Sequence, residues 1–208
     1  MKGLFVLENL DLKRIWQELS GPGAASFKIL AEDFRISLLR EAHQYPYRPE
    51  AEIVGSGNRI VRQQLGSFED FPDGSQFILL KSSFQTWLND RVAHSQVSSF
   101  QKPLSFTSLV LQKYAKDSLG ITPHRDHLRY INLVCVFVIE GQARFYVCGD
   151  RLGRDAKEID ASPGSAILLR APGFLGSRDR PFHYVTGIQE TRYSFGLRQE
   201  HSLRFGRP

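Results

Sequence analysis

Cysteine is scarce in this 208-residue chain, and its scarcity argues against two classes of protein. The two cysteines, Cys135 and Cys148, lie in apolar, strand-like stretches and have the spacing of neither a zinc site nor a disulfide framework. We therefore expect both to be reduced thiols buried in the core. Long apolar runs are missing too: none approaches the roughly 20 residues that a membrane-spanning helix needs. No membrane partner is expected.

The chain also lacks the pattern of a secretory leader. Its first seven residues contain one lysine and a short apolar run, which Glu8 and Asp11 interrupt too early for the apolar segment of a leader. We therefore expect a cytoplasmic protein.

A concentrated block of positive charge is absent as well. Lysine and arginine number 27 against 22 aspartates and glutamates, a formal net charge of +5, but the positive residues are scattered along the chain. The charge balance alone is weak evidence for a nucleic-acid partner. The composition is otherwise ordinary, with 41% hydrophobic residues, and one domain spanning residues 1–208 is expected.

The first half of the sequence predicts mainly helices. Apolar residues recur at helical spacing in three stretches: Leu10 to Leu19, Ser26 to Gln44, and Ser75 to about Val92. A Gly-Pro-Gly turn follows the first, and the first proline after the second disfavours helical geometry in the residue before it. Residues 50–74 are rich in turns and ambiguous. Residues 1–105 are thus predicted to be a helical support that also faces the substrate.

The second half changes to the period of β-strands. Short apolar runs follow one another without helices between them, which predicts an antiparallel sandwich or barrel over residues 106–200. Helices first and strands afterwards make an α+β arrangement. The predicted strands are residues 106–114, 130–139, 142–147, 166–169, 183–185 and 192–197.

Three side chains in this half form a candidate metal site. His124 and Asp126 are two residues apart, so at the end of a strand they would face the same side. His183 lies in a later strand-like run and could supply the third ligand. Two histidines and one carboxylate on one side of a metal leave open positions, as non-haem Fe(II) oxygenases require. Each residue alone is more often structural; their order in a β-rich half makes the set informative.

The last predicted strand carries a second candidate site. Alternation places Arg192, Ser194, Gly196 and Arg198 on one face and apolar side chains on the other. If the first face points inwards, two guanidinium groups would be buried at a cost unless an anion neutralises them. A dicarboxylate would do so, because arginine pairs bidentately with carboxylates. The alternative is that this face is exposed to solvent.

These motifs together resemble those of the Fe(II)/2-oxoglutarate dioxygenases, and most of all the AlkB-type dealkylases. The likeness runs from Phe106 to Gln199. It rests on Gln112-Lys113-Tyr114, where the AlkB type has Asn-x-Tyr, on His124-Arg125-Asp126, on His183, and on two arginines separated by five residues. It implies a double-stranded β-helix (jelly-roll) core in the C-terminal half, buttressed by the N-terminal helices. No nucleotide-gripping lid is recognisable in residues 1–105.

The resemblance also implies roles for these residues. Fe(II) would be bound by His124, Asp126 and His183, and O₂ and 2-oxoglutarate would be co-substrates. Arg192 would bind the distal carboxylate of 2-oxoglutarate, Tyr114 would donate a hydrogen bond to it, and Arg198 would lie near its other end. Gln112 would belong to the same pocket, with a less certain role because asparagine is usual there. The enzyme would hydroxylate a C–H bond or remove an N-alkyl group.

The identity of the primary substrate stays open between a nucleobase or nucleic acid, a small molecule and a protein. An alkylated nucleobase or nucleic acid is favoured by the arginine spacing; such a base must leave its stack to be reached, so an aromatic or arginine platform is expected. By position, Arg125, His127 and Tyr130 are candidates for substrate contacts. A small-molecule hydroxylase is the alternative, because His124 to His127 read His-x-Asp-His and Arg192-Tyr193-Ser194 matches the Arg-x-Ser of such enzymes; Ser194 would then share the carboxylate.

Two other classes of function are weighed against the oxygenase. A non-catalytic, ligand-binding jelly roll would leave the histidines and the aspartate as structural residues. A Zn(II) hydrolase on a similar barrel would not explain two arginines on the final strand. The sequence does not decide the oligomeric state.

Overall fold

The computed structural model describes residues 3–7, 10–94, 100 and 103–201. The described residues form three helices: α1 (Leu12–Ser20), α2 (Glu32–Ala42) and α3 (Gln76–Ala93). Five short strands belong to the first half: β1 (Ala24–Lys28), β2 (Arg48–Pro49), β3 (Ile53–Val54), β4 (Val61–Arg62) and β5 (Gly66–Phe68). Eight strands make up the second half: β6 (Ser108–Tyr114), β7 (Ile121–His124), β8 (Tyr130–Glu140), β9 (Arg144–Cys148), β10 (Lys157–Ile159), β11 (Ser165–Arg170), β12 (Phe182–Thr186) and β13 (Arg192–Glu200).

The strands of the second half form a jelly roll. A major sheet has the order β1-β11-β8-β13-β6-β5-β2 and a minor sheet the order β10-β9-β12-β7, while β3 and β4 form a separate hairpin. From β6 to β13 the first strand pairs with the last, β7 with β12, β8 with β11, and β9 with β10, all antiparallel. This nested pairing distributes eight strands over two facing sheets. The predicted α+β fold with a double-stranded β-helix core is confirmed.

The long strand β8 shows why two sheets and a helical layer pack together. Its side chains alternate between two hydrophobic clusters, as the period of an extended strand requires. Leu133, Cys135, Phe137 and Ile139 pack beneath the helices, whereas Val134 and Val138 face the minor sheet. The major sheet is therefore buried on both faces, and the space between the sheets is the place where a site can form.

The two longer helices are joined by a partly buried carboxylate. Glu41, near the end of α2, accepts hydrogen bonds from the Ser75 hydroxyl (2.6 Å) and from the Gln76 backbone N–H (2.8 Å). Ser75 is itself the N-cap of α3, and its hydroxyl accepts from the Phe77 N–H. These contacts satisfy N–H groups that the first turn of a helix leaves unpaired. They hold α3 in position against the major sheet.

The prediction of a helix from Ser26 to Gln44 is wrong at its start. Residues Ala24–Lys28 form β1, an edge strand that pairs with β11, and α2 begins only at Glu32. The residue that precedes α2 is Ala31, which offers no side-chain cap, so no local signal marks where the helix begins. The first half is accordingly less helical than predicted, because β2 follows α2 and β3 to β5 occupy the ambiguous stretch.

The structure bears on the two cysteines and on the expected lack of a membrane-spanning helix. Both cysteines are free; Cys135 is buried, as expected, and Cys148 is only partly buried. Within the described ranges, no helix has both the length and the apolar character needed to cross a bilayer.

Candidate metal centre and anion pocket

His124, Asp126 and His183 meet at one end of the minor sheet. His124 is the last residue of β7 and is paired in register with His183 of β12, so both imidazoles project from the same face. Asp126 follows two residues later, beyond the strand. One potential ligand atom from each residue lies within 4.8 Å of the others, and His183 Nε2 is 3.6 Å from Asp126 Oδ2. Side chains distant in sequence thus form one cluster of metal-binding type.

The backbone orients both imidazoles towards this cluster. The Nδ1 of His124 lies 3.0 Å from the carbonyl oxygen of Thr122, and the Nδ1 of His183 lies 3.4 Å from that of Pro181. With Nδ1–H donating to a carbonyl, Nε2 carries the free lone pair that a metal ligand needs. The His183 ring is also stacked on Phe145, at 5.8 Å between centroids. Both tautomer and ring orientation are therefore prepared for binding a cation.

Burial gives the three groups the protonation states of ligands. It lowers the pKa of His124 to about 3, with a further contribution from the neighbouring His183, and it also lowers the pKa of His183. For Asp126, burial alone would raise the pKa, but the adjacent His183 and Arg198 outweigh it and the pKa is lowered. At neutral pH the cluster offers two neutral imidazoles and one carboxylate, a donor set suited to a divalent metal.

Arg192 lies at the inner end of the same cavity, almost completely buried. Only 1% of the surface of Arg192 is exposed, and Arg192 lies opposite Tyr114 where β13 pairs with β6. Its Nη1 donates to the Ser194 hydroxyl at 3.1 Å, and its guanidinium carbon is 5.5 Å from the centre of the Tyr114 ring. The inward face of β13 is thus buried, which rules out the solvent-exposed alternative.

The Arg192 guanidinium has no acidic partner among the described residues. Its Nε and Nη2 are buried without a hydrogen-bond partner there, and burial lowers its pKa. A buried, unpaired guanidinium is destabilising unless an anion reaches it. The Tyr114 hydroxyl, whose pKa burial raises, points to the same region and lies 3.5 Å from Gln112 Oε1. The two unpaired donors of Arg192 fit a carboxylate.

Arg198 connects the anion pocket to the metal cluster. Its Nε lies 3.8 Å from Asp126 Oδ1, and its guanidinium carbon is 5.2 Å from the centre of the Tyr130 ring. It does not contact Arg192; Ser194 does so instead. The two arginines of the last strand therefore address different ends of one cavity.

One cavity brings together eight of the residues that the sequence singles out. Its lining includes Gln112, Tyr114, His124, Asp126, His183, Arg192, Ser194 and Arg198, interspersed with aliphatic side chains. The space between these side chains is about 40 Å³, enough for a few water molecules.

The three predicted substrate contacts lie outside the cavity lining. Arg125 is exposed and packs on the ring of Phe182, at 4.2 Å from its guanidinium carbon to the ring centre. His127 is exposed, and its Nδ1 accepts a hydrogen bond from the backbone N–H of Arg129. Tyr130 lies at the edge, beneath Arg198.

Sequence reasoning missed two arginines that lie close to Arg125, outside the cavity lining. Arg151 lies in the turn after β9, with its guanidinium carbon 5.6 Å from the centre of the same Phe182 ring. Arg180 precedes β12 by two residues. Its pKa is lowered, mainly by burial and further by the positive charges of Arg125 and Arg151, while the negative charge of Asp126 acts in the opposite direction. Both belong to irregular segments, where no periodicity indicates which way a side chain points.

Comparison with known proteins identifies the fold. No protein-family model and no curated protein matches this chain. Solved structures do match. A prolyl hydroxylase from Trichoplax adhaerens, in complex with a hypoxia inducible factor oxygen degradation domain peptide fragment, has 13% identity and a TM-score of 0.65 over 90% of this chain and 88% of its own. An oxidoreductase of the 2OG-Fe(II) oxygenase family from Burkholderia pseudomallei has 13% identity and a TM-score of 0.59 over 92% and 91%.

A third similar structure belongs to the AlkB type. The protein named OsALKBH1 has 14% identity and a TM-score of 0.58, over 86% of this chain and 98% of its own. At identities this low the likeness concerns the fold. The chain has the double-stranded β-helix fold found in 2-oxoglutarate–Fe(II) oxygenases, and AlkB-like proteins are among those that share it.

Proposed function

We propose that this protein is an Fe(II)- and 2-oxoglutarate-dependent dioxygenase. In this proposal His124, Asp126 and His183 bind the iron, and Arg192 binds the distal carboxylate of 2-oxoglutarate. The observation that carries it is the cavity itself. Three ligand atoms within 4.8 Å of one another face the same space as a buried guanidinium with two unpaired donors. A metal and a dicarboxylate together would satisfy both sets of groups.

The residues around Arg192 support a carboxylate at that end. Ser194 holds Nη1 of the guanidinium, which leaves Nε and Nη2 to form a two-point contact with a carboxylate. The Tyr114 hydroxyl, on the neighbouring strand, can turn its single proton from Gln112 to the carboxylate. Gln112, which is paired with Ser194 across the sheet, accepts from Tyr114 and so positions that hydroxyl. These groups would together bind one carboxylate.

The remaining residues hold and shield the reacting groups. When bound, Fe(II) and 2-oxoglutarate supply the activation of O₂ that oxidises a C–H bond of the primary substrate. Arg198 stabilises the ionised Asp126 through its charge. Val134, Phe145 and Val185 line the cavity with apolar surface, which excludes bulk water and strengthens the electrostatic contacts inside.

For the primary substrate, an alkylated nucleobase or nucleic acid remains our preferred proposal. It is supported by the arginines on the Phe182 ring, which have no acidic partner among the described residues, and by the position of Arg198 beside Asp126, at the end that the AlkB-type pattern implies. A small-molecule hydroxylase is the alternative, supported by the hydrogen bond from Arg192 to Ser194 that the Arg-x-Ser pattern implies. Hydroxylation of a protein is the third possibility, and one of the similar structures is a prolyl hydroxylase with a peptide bound.

A non-catalytic jelly roll is the less favoured function. It would leave the buried guanidinium of Arg192 without a counter-charge and would not use the convergence of the three ligand residues. We also propose that residues 1–208 act as one domain, since β1, β5 and β2 extend the major sheet of the jelly roll. The cytoplasmic location stays a prediction of the sequence.

Anaerobic titration tests the proposed function directly. Fe(II) and 2-oxoglutarate added together to the protein should produce a weak visible charge-transfer band that neither gives alone. A protein without the band, with no heat of 2-oxoglutarate binding in the presence of metal, would be a ligand-binding jelly roll. Succinate formation screened across methylated oligonucleotides, methylated metabolites and proline peptides then separates the three substrate classes.

A further inference from the structure

Three arginines form a positively charged rim beside the metal cluster. This arginine rim consists of Arg125 and Arg151, which pack on the ring of Phe182, and of Arg180, which is two residues before Phe182 in the chain and close enough to both for their charges to interact. The guanidinium carbons of Arg125 and Arg151 lie 4.2 and 5.6 Å from the centre of the Phe182 ring, so they are no more than about 10 Å apart. That separation is within the Debye length of roughly 10 Å at 0.1 M salt, so solvent ions do not fully screen one charge from the other.

None of the three rim arginines has an acidic partner among the residues that the structure describes. Other arginines near the cavity do: Arg154 pairs with Asp150 at 2.5 Å, and Arg129 approaches Glu200 at 3.6 Å. The Nη1 of Arg151 is also buried without a hydrogen-bond partner in the described part of the chain. Like charges held close together, with an unused donor, mark a place that an anion would stabilise.

The position of the rim relates it to the candidate metal ligands. Arg125 immediately precedes Asp126, and Phe182 immediately precedes His183. Alternation along β12 directs Phe182 away from the cavity that His183 faces, so the rim lies on the outer side of the minor sheet, beside the metal cluster, and none of its arginines lines the cavity. An anion bound there would be close to the metal without occupying the Arg192 pocket.

We propose that the arginine rim binds a phosphate group of the primary substrate. This inference rests on the proposed function, because it assigns the rim to a substrate whose reacting carbon lies over the metal cluster. Phosphate fits better than a second carboxylate, since three unpaired positive charges exceed what one carboxylate neutralises, whereas a phosphate monoester carries about two negative charges at neutral pH and three strongly accepting oxygens. Guanidinium groups match phosphate geometry through paired N–H donors.

Calorimetric titration with inorganic phosphate tests the rim. The wild-type protein should bind phosphate with a dissociation constant of the order of 1 mM, weakening as salt is added. Arg151→Gln and Arg180→Gln should each weaken it by roughly tenfold or more, as expected for loss of a charge-assisted hydrogen bond. The matched control is Arg154→Gln, which removes the same charge from the same turn but from an arginine that Asp150 already neutralises. Its affinity should match the wild type.

Competition experiments separate the sources of the phosphate. Adenosine 5′-monophosphate and phosphocholine should each displace phosphate, whereas adenosine and choline should not compete. Stronger competition by adenosine 5′-monophosphate indicates a nucleotide as the source, and stronger competition by phosphocholine indicates a phosphorylated metabolite. Absence of phosphate binding, or equal weakening in Arg154→Gln, would overturn the assignment. The charge-transfer band of the wild type tests the oxygenase proposal separately: a band without phosphate binding refutes only the rim, and phosphate binding without a band refutes only the oxygenase.

Discussion

The two sheets of the jelly roll differ in what covers them. The major sheet is buried on both faces, with α3 contributing Phe84, which contacts the Phe106 and Phe137 rings. The minor sheet has a tyrosine pair, Tyr146 and Tyr184, stacked on the face that alternation directs away from the cavity. In the described part of the chain no helix makes more than minor contact with it.

The chemistry is divided between the sheets in the same way. The well-covered major sheet provides the buried anion pocket around Arg192, while the minor sheet and its loops provide the candidate metal ligands and the arginine rim. A rigid layer suits a co-substrate of fixed shape, because its donors keep their geometry. An uncovered layer suits a variable primary substrate, because its outer edge stays accessible.

The largest effect is expected from Asp126→Ala on the metal side. Removal of the only carboxylate in the cluster should abolish Fe(II) binding and reduce turnover by more than about 1,000-fold, since the charge that offsets the cation is lost. Iron binding is measured by calorimetry and turnover by succinate formation. The control is Asp73→Ala, an exposed aspartate in a turn far along the chain. Retention of iron by the Asp126 variant would refute the ligand assignment.

Phe84→Ala should destabilise the packing between α3 and the major sheet. This side chain is fully buried between aromatic rings, and its truncation should lower the free energy of unfolding by about 3–5 kcal/mol. Chemical denaturation measures the change. Leu79→Ala on the exposed side of α3 is the matched control and should change stability by about 0.5 kcal/mol or less. If both variants lost the same stability, the helical layer would not be the support that its packing indicates.

Arg192→Met should separate co-substrate binding from folding. Loss of a two-point, charge-assisted contact should weaken 2-oxoglutarate binding by about 100-fold while Fe(II) binding remains. Because the buried charge has no acidic partner among the described residues, the ligand-free variant should be at least as stable as the wild type. Arg144→Met, on an exposed position of β9, serves as the control. Unchanged 2-oxoglutarate affinity would remove Arg192 from its proposed role.

Tyr146→Ala should have the smallest effect, on the uncovered face of the minor sheet. The cross-strand pair with Tyr184 contributes about 1 kcal/mol or less, so thermal unfolding should shift by only a few degrees. Fe(II) affinity should stay within twofold of the wild type. A loss as large as that of Phe84→Ala would show that this face is as critical as the helix-covered one.

The sequence predicted the second half of the fold better than the first. Strands such as β8 and β13 show their alternation locally, and each was predicted to within a few residues. The edge strand β1 was missed, because Phe27 and Leu30 happen to fall at helical spacing relative to Phe34 and nothing caps the true start of α2. The strand β10 was missed because three residues with two charges give no apolar run.

In the candidate site, too, the residues on strands were predicted from the sequence and the arginines of two loops were missed. The residues of the anion pocket share one strand or its direct neighbour, so alternation and pairing place them on one face. Arg151 and Arg180 come from loops, whose backbone follows no period, and nothing local relates either of them to Phe182.

The order of residue types along the chain by itself determined the chemical inventory of this protein: two imidazoles, a carboxylate, and guanidiniums on one face of its last strand. Only the tertiary structure decided that His183 lies opposite His124 and that Arg192 lacks an acidic partner in the described chain. It alone also brought the three arginines of the rim together beside Phe182. The physical reason is that side-chain alternation is a local property of an extended backbone, whereas the meeting of distant strands depends on the pairing and packing of the whole roll.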